Sequence, residues 1–536
     1  MEQSILRSFL EKGFLLDREL VDFFMELNDE ELALDIINKI SIASKRKIIT
    51  KNLVEENFDK IKIILSYLDD DKKNLFEKFF SDFFASGNKK PELLIKKDSV
   101  NEIDGEYRSK NNNPVKIISS PVIPSKKLEV KDFVRYFRVR YNTLKTMLQQ
   151  KSGLENLISI DKINNYSRNF SIIGMITNKS TTKNKNIILE VEDLTGKIKL
   201  LINHAKENVF EKSKEILLDD VVGFNVSGSR DFLYVNDIFY PDCYINEKKK
   251  TEEEVYALFI SDIHVGSKNF LEKNFTQFIN WLNGEGLNKK QEEVIKKIKY
   301  LFVVGDTIDG VGVYPGQEKD LLIKDIREQY KKLAEFYKKI PKHINIIQCA
   351  GQHDAVRVAE PQPPVDENFA PDLHTINNLY LVSNPSLIEI ESEKGKEGIK
   401  VLMYHGASMH GVINEIEELR VKNAASTPAK VVRHLLLRRH LAPSHGQIIY
   451  IPSSNIDPLA IKEIPDIITT GDLHRTDIDN YNGVLIISNS CWQSMTAFEE
   501  KVGNKPDPCK VPILNLKTRE IKILDFSGEG GNGDRS

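Results

Sequence analysis

The chain has 536 residues, a formal net charge of −3, 40% hydrophobic and 29% charged residues, a length that exceeds one ordinary core and sets a prior of roughly two to four domains. Near-balanced charge excludes a protein that coats nucleic acid by bulk electrostatics, though it leaves room for a local basic groove. No apolar run reaches the roughly 18 to 20 residues that span a bilayer, the start MEQSILRSFLEK is unlike a signal peptide, and Cys243, Cys349, Cys491 and Cys509 lack CxxC spacing, so the expectation is an intracellular chain with no membrane segment, disulfide framework or zinc ribbon.

Residues 1–82 place apolar groups at helical spacing, as in ILRSFLEKGFLLDRELVDFFMEL, and predict a small all-helical amino-terminal domain. Lys45, Arg46, Lys47 and Lys51 within it read as a solvated face. Residues 83–129 shift to Lys, Asn, Ser, Pro and Glu. They bury too little to offset their ordering entropy and read as a flexible linker. In 130–165 apolar and aromatic residues return at helical spacing (VKDFVRYFRVRYNTLKTMLQQ), predicting a connecting helix whose Arg135, Arg138, Arg140 and Lys145 form a solvated or phosphate-facing side.

Residues 166–248 change period. Short β-rich runs divided by Gly, Asn and Asp turns, with the helix-like insert HAKENVFEKSKEIL, predict a five-stranded barrel of the OB type. Such barrels hold single strands on aromatic platforms; few aromatics sit on these strands, so a spacer or protein-contact role is an equal reading. Residues 249–527 alternate apolar runs with helical stretches and predict a layered α/β domain. The end, 528–536, is a polar, Gly-rich tail.

Chemistry concentrates in that layered domain: of eleven histidines only His204 precedes residue 260. Five apolar runs there end in metal-capable side chains: VYALFISDIH (255–264), LFVVGDTID (301–309), NIIQCAGQHD (345–354), KVLMYHG (400–406) and DIITTGDLH (466–474). Each reads as a buried strand delivering ligands to its carboxyl end. Singly they are weak signals, since a buried histidine is usually a satisfied core residue. In this order they resemble the calcineurin-like metallophosphoesterases. The resemblance implies a four-layer β-sandwich flanked by helices, with two divalent ions about 3.5–4 Å apart binding phosphodiester oxygens and activating a water. It further implies Asp306 as the shared bridge, Asp262, His264 and His474 at the first ion, and Gln352, His405 and Asp472 at the second. Asp309 and Asp354 would stand behind these ligands, and His353 would act as general acid. Two positions depart from the pattern: GQHD offers Gln352 where Asn follows the glycine, and Gly471-Asp472-Leu473-His474 replaces GHxH. Both are oxygen donors that suit hard ions, Mn²⁺ first and Mg²⁺ second. Both fall on the second site, which is either retuned or weakened.

Longer stretches narrow the family. ISDIHVGSKNF, GDTIDGVGVYPGQ, QYKKLAEFYKKIPKHI, GQHDAVR, VSNPSLI and HLLLRRHLAP closely resemble the small subunits of archaeal family D DNA polymerases, over roughly residues 130 to 527. The resemblance implies a heterodimer with a large polymerising subunit, single-stranded or primer-template DNA as substrate, a Mn²⁺-dependent 3′–5′ exonuclease for proofreading, and a place in the archaeal cytoplasm at the nucleoid. Its rivals are an inactive scaffold subunit, as in the related B-type subunits of eukaryotic replicative polymerases, and a free-standing phosphoesterase, against which the preceding barrel speaks. Tyr314 stacks on a terminal base or packs its loop; Arg433, Arg438 and Arg439 contact a DNA backbone or line a solvated face. His410, His434, His440 and His445 fall outside the ligand pattern.

Overall fold

The computed structural model describes residues 114–528 apart from 125–126, 165–168, 393–395, 454 and 503, together with scattered positions between 14 and 54. Residues 83–113, the Lys45 to Lys51 cluster and the tail from 529 lie outside the described residues. The chain divides into two compact units, 1–100 and 101–536. In the first, Leu20, Phe23, Phe24, Ile36, Ile37 and Ile40 are helical and fully buried, as the apolar spacing predicts. The all-helical expectation needs one correction: β1 (Leu15–Leu16) and β2 (Ile48–Ile49) pair in parallel, Leu15 opposite Ile48. Two-residue strands are too short to leave a period-2 signature.

In the second unit β3 (Val115–Ser119) corrects the linker expectation, for it forms an edge strand. The helix α1 (Val130–Leu148) follows as predicted. A closed barrel is built from β4 (Phe170–Thr181), β5 (Ile187–Glu192), β6 (Lys197–Ile202), β7 (Val221–Ser229) and β8 (Phe232–Phe239), in the order β4-β5-β6-β8-β7, with α2 (Glu207–Lys214) between β6 and β7. Ile172, Leu189, Leu200, Phe224, Val226 and Leu233 fill its interior, so the barrel is a packed core rather than a channel.

The remaining strands make two six-stranded sheets. The first runs β12 (Leu379–Val382), β11 (Asn345–Cys349), β10 (Ile298–Val304), β9 (Tyr256–Ile260), β18 (Lys510–Asn515), β19 (Ile521–Asp525); the second runs β16 (Asp477–Tyr481), β17 (Val484–Ser488), β15 (Ile467–Thr470), β14 (Ile399–Met403), β13 (Ser386–Ile390), β3. Along β9, Ala257 and Phe259 face the second sheet, while Leu258 and Ile260 face α3 (Glu272–Leu282) and α4 (Ile326–Tyr337). Burial on both faces explains why β9 and β10 read as continuous apolar runs instead of alternating ones. Phe259 and Phe302, in register on these strands, stack at 5.2 Å. The second sheet's outer face is covered by α5 (Met409–Glu415) and α6 (Pro428–Arg438). The order helix, sheet, sheet, helix is thus present. Among the described residues no helix is long and apolar enough to cross a membrane.

α1 wedges between barrel and sandwich. Tyr136 joins the core over the second sheet, and Leu144 and Leu148 pack on Ile173, Met175 and Val221 of the barrel. The basic face read for this helix is only partly present. Arg135 and Arg138 are exposed, but Arg140 is buried, pairing with Asp457 at 3.1 Å and donating to the Pro443 carbonyl at 2.7 Å.

Candidate metal centre

β9, β10 and β11 run parallel, as do β14, β15 and β17. All five ligand-bearing segments leave their strands at one edge of the sandwich. There the backbone turns sharply: Asp262, His264, Asp306, Asp472 and His474 all have φ between +48° and +66°. Left-handed φ is uncommon for residues with a Cβ and clusters at functional sites. The turns are held by Asp262 N–H to the Gly305 carbonyl and His264 N–H to the Asp306 carbonyl, both 3.0 Å.

Two three-residue clusters share Asp262, one completed by His264 and His474 and the other by Asp306 and His405, the candidate donor atoms of each lying within 4.8 Å of one another. A further cluster of the same size joins His264, Asp309 and His353. Nε2 of His264 and His474 are 3.3 Å apart, and Nε2 of His474 is 3.4 Å from Asp262 Oδ1. Donors that share an ion at about 2.0–2.2 Å stand about 3–4 Å apart. His405 Nε2 lies 3.2 Å from Asp306 Oδ2 and 3.8 Å from Asp472 Oδ1, is fully buried, and has no hydrogen-bond partner. The resemblance implies Asp306 as the bridge; in the structure Asp262 is the residue common to the first two clusters.

The imidazoles are set for ligation by what their other nitrogens do. Nδ1 of His264 donates to Asp309 Oδ1 (3.1 Å), of His353 to the Asp309 carbonyl (2.8 Å), of His405 to the Val304 carbonyl (2.8 Å), and of His474 to Glu499 Oε1 (2.7 Å). In the neutral ring each therefore presents a lone pair at Nε2, the tautomer a metal requires. The residues present fit a divalent ion on this donor chemistry. Asp354 is tied behind them, accepting from Gly351 N–H at 2.9 Å and from the Thr307 hydroxyl at 2.6 Å.

Charge follows the same arrangement. Burial pushes the Asp306 carboxyl up, but the His405 and His353 imidazoles outweigh it and hold it well below the usual range. Burial pushes His405 and His474 down, and the facing carboxylates drive both above their ordinary value. Protons held this way are displaced by a dication, so metal uptake releases protons and weakens as pH falls.

Gly351 and Gly471 allow the close approach. A Cβ at Gly351 would stand 2.2 Å from Asp306 Oδ1 and 2.8 Å from His405 Nε2; one at Gly471 would stand 2.6 Å from Asp262 Oδ2. Gly351→Ala is expected to leave the fold intact yet displace Asp306 and His405. Metal affinity measured by Mn²⁺ titration should drop about 100-fold, the scale of an ångström's misplacement.

Several predicted residues lie elsewhere than their reading places them. Arg438 is 2% exposed and pairs with Asp220 at 3.0 Å; Arg439 is 6% exposed and donates to the Ile461 carbonyl at 2.7 Å. Neither faces DNA, because the helix end that carries them docks on the barrel and on the 461–462 segment. Arg433 is partly exposed and paired with Asp479. Tyr314 is 41% exposed and donates to Asp320 at 3.0 Å. Gln352 is half-buried between Gly351 and His353.

Other residues at the site escape the sequence reading. Glu499 and Gln493 contact His474 and Asp309 from the carboxyl-terminal segment, the latter at 3.2 Å, and lie outside the five strand-end motifs. Glu360 is buried beside His405 and Asp472. Burial, with Asp472 adding and His405 opposing, pushes its carboxyl up to about 8. The folded chain then keeps a proton that the unfolded chain releases above its ordinary 4.5, so this group costs stability as pH rises from about 4.5 to about 8. In the chelator-treated chain Glu360→Gln is expected to flatten the fall in melting temperature between pH 5.5 and 8; a slope equal to wild type would contradict it.

Residues 257–478, which carry every candidate ligand, match the family model that describes the B-type subunit of DNA polymerases alpha and epsilon, and this match sets the class of the protein. Within that class the chain belongs to the DNA polymerase II small-subunit family. It is 36% identical over 399 residues to the small subunit of Methanothermobacter thermautotrophicus, covering 74% of this chain and 80% of that one. To the Pyrococcus furiosus small subunit it is 38% identical over 405 residues, 74% of this chain and 64% of the other, so it spans just under two thirds of that relative. A solved archaeal phosphodiesterase overlaps 50% of this chain and 99% of its own at 14% identity and a TM-score of 0.24, a likeness too slight to build on.

Proposed function

We propose that this chain is the small subunit of a heterodimeric replicative DNA polymerase and supplies a metal-dependent 3′–5′ exonuclease by two-metal phosphodiester hydrolysis. The observation that carries the reading is the convergence of imidazole Nε2 atoms, each ring fixed through Nδ1, upon buried Asp262 and Asp306. Family membership supports the polymerase context, with the large catalytic subunit as partner, a single-stranded DNA end as substrate and the cytoplasm as its place. Two divalent ions, Mn²⁺ before Mg²⁺, would bind phosphate oxygens and lower the pKa of a water. Asp262, His264 and His474 would hold the first, and Asp306, His405, Gln352 and Asp472 the second. His353, oriented by the Asp309 carbonyl, would carry the proton to the departing sugar oxygen at Nε2.

A scaffold role is the second reading. It is favoured by the Gln352 and Asp472 departures and by the burial of Arg438 and Arg439, which removes a basic path for DNA. The deciding experiment gives the purified chain 3′-labelled and 5′-labelled single-stranded DNA in Mn²⁺, in Mg²⁺ and in chelator. Mononucleotide release from the 3′ end in metal alone is expected; equal, slow release in all three conditions leaves the scaffold.

A further inference from the structure

The GHxH departure removes an imidazole from the second site, and the fold brings another one to the same place. α5 begins four residues after His405, and its second residue is His410. The segment 405–410 runs closely against 471–472. Gly471 N–H donates to the His405 carbonyl at 2.7 Å, and Gly406, at φ +128°, leaves so little room that a Cβ there would lie 3.1 Å from Asp472 Cβ. As a result the two carboxylate oxygens of Asp472 each face an imidazole: Oδ1 stands 3.8 Å from His405 Nε2, and Oδ2 stands 3.7 Å from His410 Nε2. Both gaps are too long for a hydrogen bond. Asp472 Oδ2 and His405 Nε2 are buried atoms without hydrogen-bond partners. Donors sharing one ion at about 2.0–2.2 Å stand about 3–4 Å apart, which is the spacing seen.

We propose that His410 is a ligand of the second ion, supplying from α5 the imidazole that Asp472 replaced. This rests on the two-metal reading above and deepens it. The second site then offers His405, His410, Asp306 and Asp472, a mixed nitrogen and oxygen set rather than an oxygen-rich one. Two imidazoles favour Mn²⁺ over Mg²⁺ there, since Mg²⁺ takes oxygen and water. His410 is 54% exposed on its side chain, so the ion would sit at the mouth of the cleft with one side open to an incoming phosphate.

A surface ion pair between His410 and Asp472 is the competing account, and a charge-preserving substitution separates the two. The full chain is titrated with Mn²⁺ by calorimetry and followed by electron paramagnetic resonance, as wild type, His410→Ala and His410→Lys. Wild type is expected to take up two ions and to show the exchange-coupled signal of a pair. Both variants should bind the first ion as wild type does, bind the second at least about 100-fold more weakly, beyond the 10- to 100-fold typical of outer-shell losses, and lose the coupled signal. Lys keeps a positive charge beside Asp472 but has no lone pair when protonated. If His410→Lys binds the second ion as wild type does, or if His410→Ala does, His410 is not a ligand while the two-metal reading stands. A wild-type chain that takes up only one ion overturns the two-metal reading and this inference with it.

Discussion

An Asp306→Asn chain is expected to lose about 10³-fold or more of its Mn²⁺-dependent release of nucleotides from single-stranded DNA while melting within a few degrees of wild type. The substitution keeps the size of the side chain and an oxygen to accept the 2.8 Å bond from His353 N–H. What it removes is the negative charge facing His405 Nε2 at 3.2 Å. A factor of 10³ is about 4 kcal/mol at the transition state, a reasonable share of what a metal pair contributes to phosphoryl chemistry. The pH signature is a second check. The carboxylates raise His405 above its ordinary value, and with Asp306 neutral the ring gives up its proton at lower pH. Residual metal binding should therefore survive to more acidic pH in the variant than the wild-type proton competition allows. Turnover by Asp306→Asn equal to wild type would locate any nuclease activity elsewhere.

The largest stability effect is expected at Asp457, far from the metal centre. This carboxylate accepts from Tyr136 (2.9 Å), Arg140 Nε (3.1 Å), His440 Nε2 (2.9 Å) and Leu459 N–H (3.1 Å), and both Asp457 and Arg140 are buried. Burial alone pushes the carboxyl up, and the charges of His440 and Arg140 overcome it and hold the group well below the usual range. Asp457→Ala leaves a buried guanidinium with only Tyr136 and the Pro443 carbonyl, and breaking such a pair costs about 3–5 kcal/mol. The loss should appear as a lower urea midpoint at unchanged slope. Replacing Arg140 by Met and Asp457 by Leu together should recover most of it, because the uncompensated charge is then gone. A single-variant loss below about 1 kcal/mol would mean that the network is hydrated rather than dry.

The parts of this molecule that are legible in the sequence share a cause. Strands buried on both faces write long apolar runs, so β9, β10, β11, β14 and β15, and the polar residues that end them, are visible without a structure. The barrel's short runs and the turns between them are visible too, because Gly, Asn and Asp mark each reversal of the chain. Residues whose role depends on contacts between distant segments are not. Arg438 and Arg439 look like any basic helix end until Asp220 and the Ile461 carbonyl arrive from elsewhere in the chain. Val115–Ser119 lies in a polar, Lys- and Asn-rich stretch, and only the partner strand β13 makes it a strand. Glu499 reaches His474 from a helix with no motif of its own. Asp262 as the residue common to two clusters cannot be read at all, since spacing along a chain says nothing about which of two aspartates sits between two histidines.

The left-handed backbone at Asp262, His264, Asp306, Asp472 and His474 bears on how such a chain changes over generations. Left-handed geometry costs a residue with a Cβ about 1–2 kcal/mol, and glycine almost nothing. A lineage that keeps only the scaffold gains stability by letting these positions drift to glycine or asparagine. A lineage that keeps aspartate and histidine there retains the strain in every copy it makes. Relaxation at these five positions is a stability optimum that selection for the fold alone would reach, and this chain has not taken it.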